Sequence, residues 1–131
     1  MREATQLRIV TEIISSYKGK EPLSRFLKKN FNTNRQLGSR DRRLIQEFTY
    51  NYFRLGKMFA DKPVETRIAA ATRFCKTEPG PLYDFLHSRH PEVERLQLHS
   101  ELDKLFVHGR HLSDSIRKAD FIQSFLVQPK V

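Results

Sequence analysis

The chain has 131 residues, a formal net charge of +9 at pH 7 and one cysteine. That length suits one domain able to bury about two thirds of its unfolded surface without staples. A lone Cys75 excludes an intramolecular disulfide and a thiolate metal cage, which fits a reducing cytoplasm.

The charge is uneven. Residues 1–60 carry 13 Lys and Arg against 5 Asp and Glu, a net +8, whereas residues 61–131 carry 11 against 10, a net +1. A cationic field confined to half of a small fold favours a polyanionic partner, because phosphates supply the largest sequence-independent share of nucleic-acid binding. The opening MREATQLRIV has neither the apolar run nor the cleavage site of a signal peptide, and no run of about 18 apolar residues occurs. The sequence therefore reads as soluble, cytoplasmic and without membrane contact.

Leu7, Ile9, Val10, Ile13, Ile14 and Tyr17 recur at helical spacing and predict a first helix that Lys18-Gly19 terminates. Pro22 suits the first turn of a second helix with Leu23, Phe26, Leu27 and Phe31 inward, ended by Asn32-Thr33-Asn34. Gly38-Ser39 opens a third, with Ser39 placed to cap it and Asp41 near the positive end of its dipole. Along this helix Leu44, Ile45, Phe48, Tyr52, Leu55 and Phe59 gather on one arc, and Arg40, Arg43, Glu47, Asn51 and Arg54 fall on the opposite, solvent-facing one. Pro63 restarts the chain into a fourth helix bearing Val64, Ile68, Ala71, Phe74 and Cys75, which Glu78-Pro79-Gly80-Pro81 stops. Leu82, Phe85 and Leu86 predict a short fifth helix. Pro91 begins another, its stripe continuing through Val93, Leu96, Leu102, Leu105 and Phe106 toward a break near Gly109. With no convincing two-residue alternation, the fold class is all-α. Pro129 biases Gln128 toward extended structure, so the chain ends while entering something new.

No catalytic constellation is legible. Five glycines form no phosphate loop or dinucleotide turn. His87 with His90, and His108 with His111, are spaced i, i+3, but they lack matched acidic or thiol ligands and read as surface histidines near helix ends. Cys75, late in a helix beside Phe74, reads as a small buried apolar residue rather than a nucleophile. Phosphate contacts are assigned to Lys28, Lys29, Arg35, Arg40, Arg43, Arg54 and Lys57, with Tyr50, at the border of the basic arc, as a stacking candidate.

Gly38-Ser39-Arg40-Asp41-Arg42, then Leu44-Ile45, then Tyr50, Tyr52, Phe53 and Arg54, resembles the signature of the NusB-like N-terminal domain of the RsmB/Sun family of rRNA cytosine-5 methyltransferases. Ser124-Phe125-Leu126-Val127-Gln128-Pro129 resembles the segment by which those enzymes pass into their catalytic part. The resemblance implies a NusB-like bundle of about six helices over residues 1–124 that binds small-subunit rRNA, with 125–131 starting a linker toward an absent methyltransferase domain. S-adenosylmethionine is the cofactor expected of the full-length enzyme. No cofactor or catalytic residue is expected here, because the chain lacks the family's Rossmann-like domain and its two catalytic cysteine motifs. Such a chain is an isolated auxiliary domain or a truncated form.

Two other readings compete. One is a protein-interaction module using the near-neutral second half; the other is a free-standing NusB-like transcription antitermination factor, disfavoured by the extended Val127-Gln128-Pro129 end. A helix-turn-helix DNA reader would need a second basic recognition helix.

Overall fold

The computed structural model describes residues 2–98, and within them every regular element is helical. Five α-helices, α1 (Glu3–Ser16), α2 (Leu23–Thr33), α3 (Ser39–Leu55), α4 (Val64–Phe74) and α5 (Pro81–Arg89), are followed by a 3₁₀ turn, Pro91–Arg95. The expectation of an all-α bundle of about six helices is met by this arrangement. The expected features at Leu102, Leu105, Phe106, Gly109, His108, His111 and residues 113–131 lie outside the described residues.

Each boundary has a local cause. After α1, Gly19 takes φ 76°, a left-handed conformation that costs a residue without Cβ little. Pro22 and Pro63 stand at the N-caps of α2 and α4, where the missing N–H is not needed. α3 starts differently from expectation: Gly38 is its N-cap, Ser39 is the first helical residue, and no side chain caps the free amides. Asp41 instead lies in the first turn and accepts a 2.8 Å hydrogen bond from Gln6 Nε2, tying α3 to α1.

α3 packs on both α1 and α4, and α5 closes against α1 and α4. That central position buries all eight residues from Phe48 to Leu55. Asn51 and Arg54, expected on the solvent arc, are only 4% and 7% exposed. The two-sided arc holds for the first half of the helix, where Arg40 and Arg43 are exposed and Ile45 is buried, and fails where neighbours enclose it. Phe59 lies past the end of α3 with φ 57° and stacks on Phe74 at 5.8 Å, outside the helical arc assigned to it.

Tyr17 joins three helices. Its ring meets Phe26 of α2 at 5.1 Å and Phe53 of α3 at 5.4 Å, and its hydroxyl donates to the Glu21 carbonyl. Burial, with contributions from Tyr50 and Glu21, pushes its phenol up to about 12. The folded state therefore holds this proton more tightly than the unfolded chain does. Stability is full below pH 10 and falls as the pH rises toward 12.

The acid side is governed by the α4–α5 contact. Thr72 Oγ1 donates to the Ala69 carbonyl, so His87 Nε2, 2.9 Å away, must be the donor to that hydroxyl. Its Nδ1 is buried without a hydrogen-bond partner among the described residues, 3.8 Å from Glu94. Burial lowers the His87 pKa from 6.5, against the raising effect of Glu94. Glu65 is raised by burial, but hydrogen bonds from His90 and Arg89 and the charge of Arg89 outweigh this and hold it below 4.5. Both groups are depressed in the fold, so both contributions are lost as pH falls. Melting temperature is expected to be flat near neutrality, to decline below pH 6.5 through His87, and to decline again below 4.5 through Glu65. Melts of His87→Gln across this range should lose the first step and keep the second.

Candidate nucleic-acid interface

The polar run ending α2, the linking loop and the uncapped start of α3 put exposed cations on consecutive elements. Lys28 and Lys29 lie on α2, Arg35 in the loop, and Arg40, Arg42 and Arg43 in the first turns of α3; all six are exposed. Lys29 is paired with Glu21 Oε2 at 2.9 Å. The others have no carboxylate partner among the described residues. Arginines at a helix start face the positive end of the dipole, which disfavours each by about 0.3–1 kcal/mol. One acidic residue, Asp41, occupies that turn, so the local sequence runs against helix electrostatics. Such conflicts concentrate at functional sites.

A groove of about 330 Å³ opens between α2 and α3. Ser24, Leu27, Lys28 and Phe31, at helical spacing on α2, form one wall with Asn32; Arg42 and Gln46, four residues apart on α3, form the other. Arg42 Nε donates to the Leu37 carbonyl at 3.1 Å, which anchors the guanidinium to the loop. Its terminal nitrogens have no acceptor among the described residues. Arg42 is not among the phosphate contacts assigned from the sequence, where its place at a helix start suits intramolecular pairing as readily as RNA contact. The i, i+4 pair Arg42/Gln46 was the available signal, but its meaning depends on α2 lying opposite.

Other expected contacts are placed differently. Tyr50 is 8% exposed, and burial raises its phenol pKa. It belongs to the core and offers no free ring for stacking. Arg54, expected on the solvent arc, is enclosed in the last turn of α3, where its charge suits the negative end of the dipole. Lys57 is exposed but lies beyond the far end of α3, about 25 Å along a helix of 17 residues from Arg40. Lys28 and Arg42 are brought to one groove, with Arg35, Arg40 and Arg43 close in sequence to it; Arg54 and Lys57 belong to the opposite end.

His87 and His90, read as surface residues, are enclosed: their side chains are 11% and 16% exposed and bonded within the α4–α5 contact. No group of three or more His, Cys, Asp or Glu that could hold a metal occurs among the described residues. Cys75 is 1% exposed, and its Sγ lies 3.8 Å from the Asn51 carbonyl it donates to. Asn51 Nδ2 in turn donates to Thr77 Oγ1 at 2.6 Å. Cys75→Ser is expected to lower stability by about 1 kcal/mol, since the hydroxyl is buried with a shorter reach, and to leave RNA affinity unchanged. Melts and binding curves on the same protein check both parts.

No family model matches the chain, and no curated protein or solved structure matches it.

Proposed function

We propose that this chain is an RNA-binding helical domain that holds ribosomal RNA for a cytosine-5 methyltransferase using S-adenosylmethionine. The observation that carries the RNA reading is the run of exposed cations without carboxylate partners among the described residues, Lys28 on α2, Arg35 in the following loop and Arg40, Arg42 and Arg43 at the start of α3, the last three set against helix electrostatics. Lys28, Arg35, Arg40, Arg42 and Arg43 contact phosphates and fix register, and Lys57 adds a separate contact at the other end of α3. The methyltransferase context rests on the motif resemblance from Gly38 to Arg54, several of whose positions are core positions: Ile45, Tyr50, Tyr52 and Phe53 are all buried. Its partners in this reading are small-subunit rRNA and a catalytic domain. Among the described residues no helix is long and apolar enough to cross a membrane.

Fluorescence anisotropy with a labelled helix–loop fragment of small-subunit rRNA, at roughly 50 mM salt, tests the RNA reading. Saturable micromolar binding is expected. Absence of binding at these conditions would contradict it and favour the interaction module. Stimulation of a separately supplied cytosine-5 methyltransferase domain by this chain tests the finer reading.

A further inference from the structure

From the walls of the α2–α3 groove, we infer that it is a subsite for one unpaired nucleotide of single-stranded RNA, the base entering between the helices and its phosphates lying on Lys28 and Arg42. The inference rests on the RNA reading above and adds a base-contacting pocket to what would otherwise be a purely electrostatic surface. Three features lead to it.

The groove is mixed in character. Leu27 and Phe31 give it apolar surface, and Ser24, Asn32 and Gln46 give it hydroxyl and amide groups. A nucleobase has the matching duality of two apolar faces and a polar rim. Amide side chains offer donor and acceptor together, as a base edge requires. A lipid tail or an apolar peptide side chain would leave these three polar groups without partners.

Charge is confined to one sign. Lys28 and Arg42 line the groove, Arg35, Arg40 and Arg43 lie nearby in sequence, and no carboxylate among the described residues lines it. An anionic ligand is therefore the complementary one. A volume of about 330 Å³ lies at the small end for ligand pockets, which suits a single nucleotide rather than a duplex.

The walls are held in place before any ligand arrives. The Arg42 guanidinium is tethered to the Leu37 carbonyl. Leu27 and Phe31 are fixed in the core, at 2% and 8% exposed. Groups already held in position lose less freedom on binding. Asn32 and Gln46 are exposed, so both can be replaced without opening the core.

The test compares single-stranded RNA hexanucleotides with an abasic hexanucleotide of equal charge, on the whole chain at one salt concentration. The base-bearing RNA is expected to bind at least about fivefold tighter than the abasic one, the lower bound for one stacked or inserted base. Asn32→Ala combined with Gln46→Ala is expected to bring the two toward parity, with the salt dependence and melting temperature of wild type retained. Equal wild-type affinity for both oligonucleotides would overturn the groove assignment while leaving phosphate binding in place. A double variant that keeps the full preference would also overturn it, since the base would then lie elsewhere. If neither oligonucleotide binds, the RNA reading itself fails and the subsite falls with it.

Discussion

Reversing charge at Arg35, Arg40 and Arg43 together is expected to abolish RNA binding without harming the fold. All three side chains are exposed and have no carboxylate partner among the described residues, so glutamates there break no ion pair. Two of the changes place negative charge in the first turns of α3, where the helix dipole welcomes it. Melting temperature should stay the same or rise slightly, since exposed substitutions usually lie within about 0.5 kcal/mol. Affinity should fall by at least about 100-fold at low salt, because phosphate attraction is replaced by repulsion at each position. Arg54 is left out of this variant deliberately. Burial makes Arg54→Glu a test of folding rather than of binding. Retention of wild-type affinity by the triple variant, with circular dichroism unchanged, would reduce the basic stretch to a solvated surface.

Arg67→Ala is expected to produce the largest single loss of stability outside the apolar core. The Arg67 guanidinium fills the turn between α3 and α4. Its Nη1 donates to the Tyr52 hydroxyl at 2.6 Å, its Nη2 to the Gly56 carbonyl at 2.5 Å, and its Nε to the Met58 carbonyl at 3.2 Å. The same group lies 5.0 Å over the Tyr52 ring. Removing it leaves two main-chain carbonyls and a phenol short of a donor where Gly56 turns the chain at φ 62°. Charged hydrogen bonds of this kind contribute about 1.5–3 kcal/mol each, with partial replacement by water at a half-buried site. A loss of about 2 to 4 kcal/mol follows, or roughly 10 °C in melting temperature. Arg67→Lys should recover less than half, because one ammonium cannot span acceptors on three residues. An Arg67→Ala melt within about 1 °C of wild type would show that water replaces the guanidinium fully.

Much of this architecture is legible from spacing alone, and the exceptions share a cause. The α1 stripe from Leu7 to Tyr17 is buried as its periodicity predicts, and so are Leu23, Leu27 and Phe31 of α2. Pro22, Gly19 and Pro63 mark helix limits through backbone chemistry that travels with the residue. What failed is the inference that a polar residue opposite an apolar arc faces water. Asn51 and Arg54 sit on such an arc, yet α1 and α4 enclose the second half of α3. A helical wheel contains one helix, and enclosure is a property of several.

The same reasoning separates the parts of the site. Exposure of Lys28, Arg35, Arg40 and Arg43 was readable, because each is charged and stands off the apolar positions assigned to its helix or in the loop. The groove was not, since Lys28 and Arg42 line one groove only because α2 lies across from α3. Arg67 escaped notice for a related reason: two of its three acceptor groups are main-chain carbonyls, which carry no sequence signal.

The dependence of RNA affinity on salt tests the central claim most directly. If the cations of α2, the loop and α3 neutralise about three to five phosphates, log affinity against log salt should fall with a slope of about −2 to −4. A slope near zero would contradict the claim, because binding by an apolar surface releases few counterions and leaves the cationic stretch without the role assigned to it.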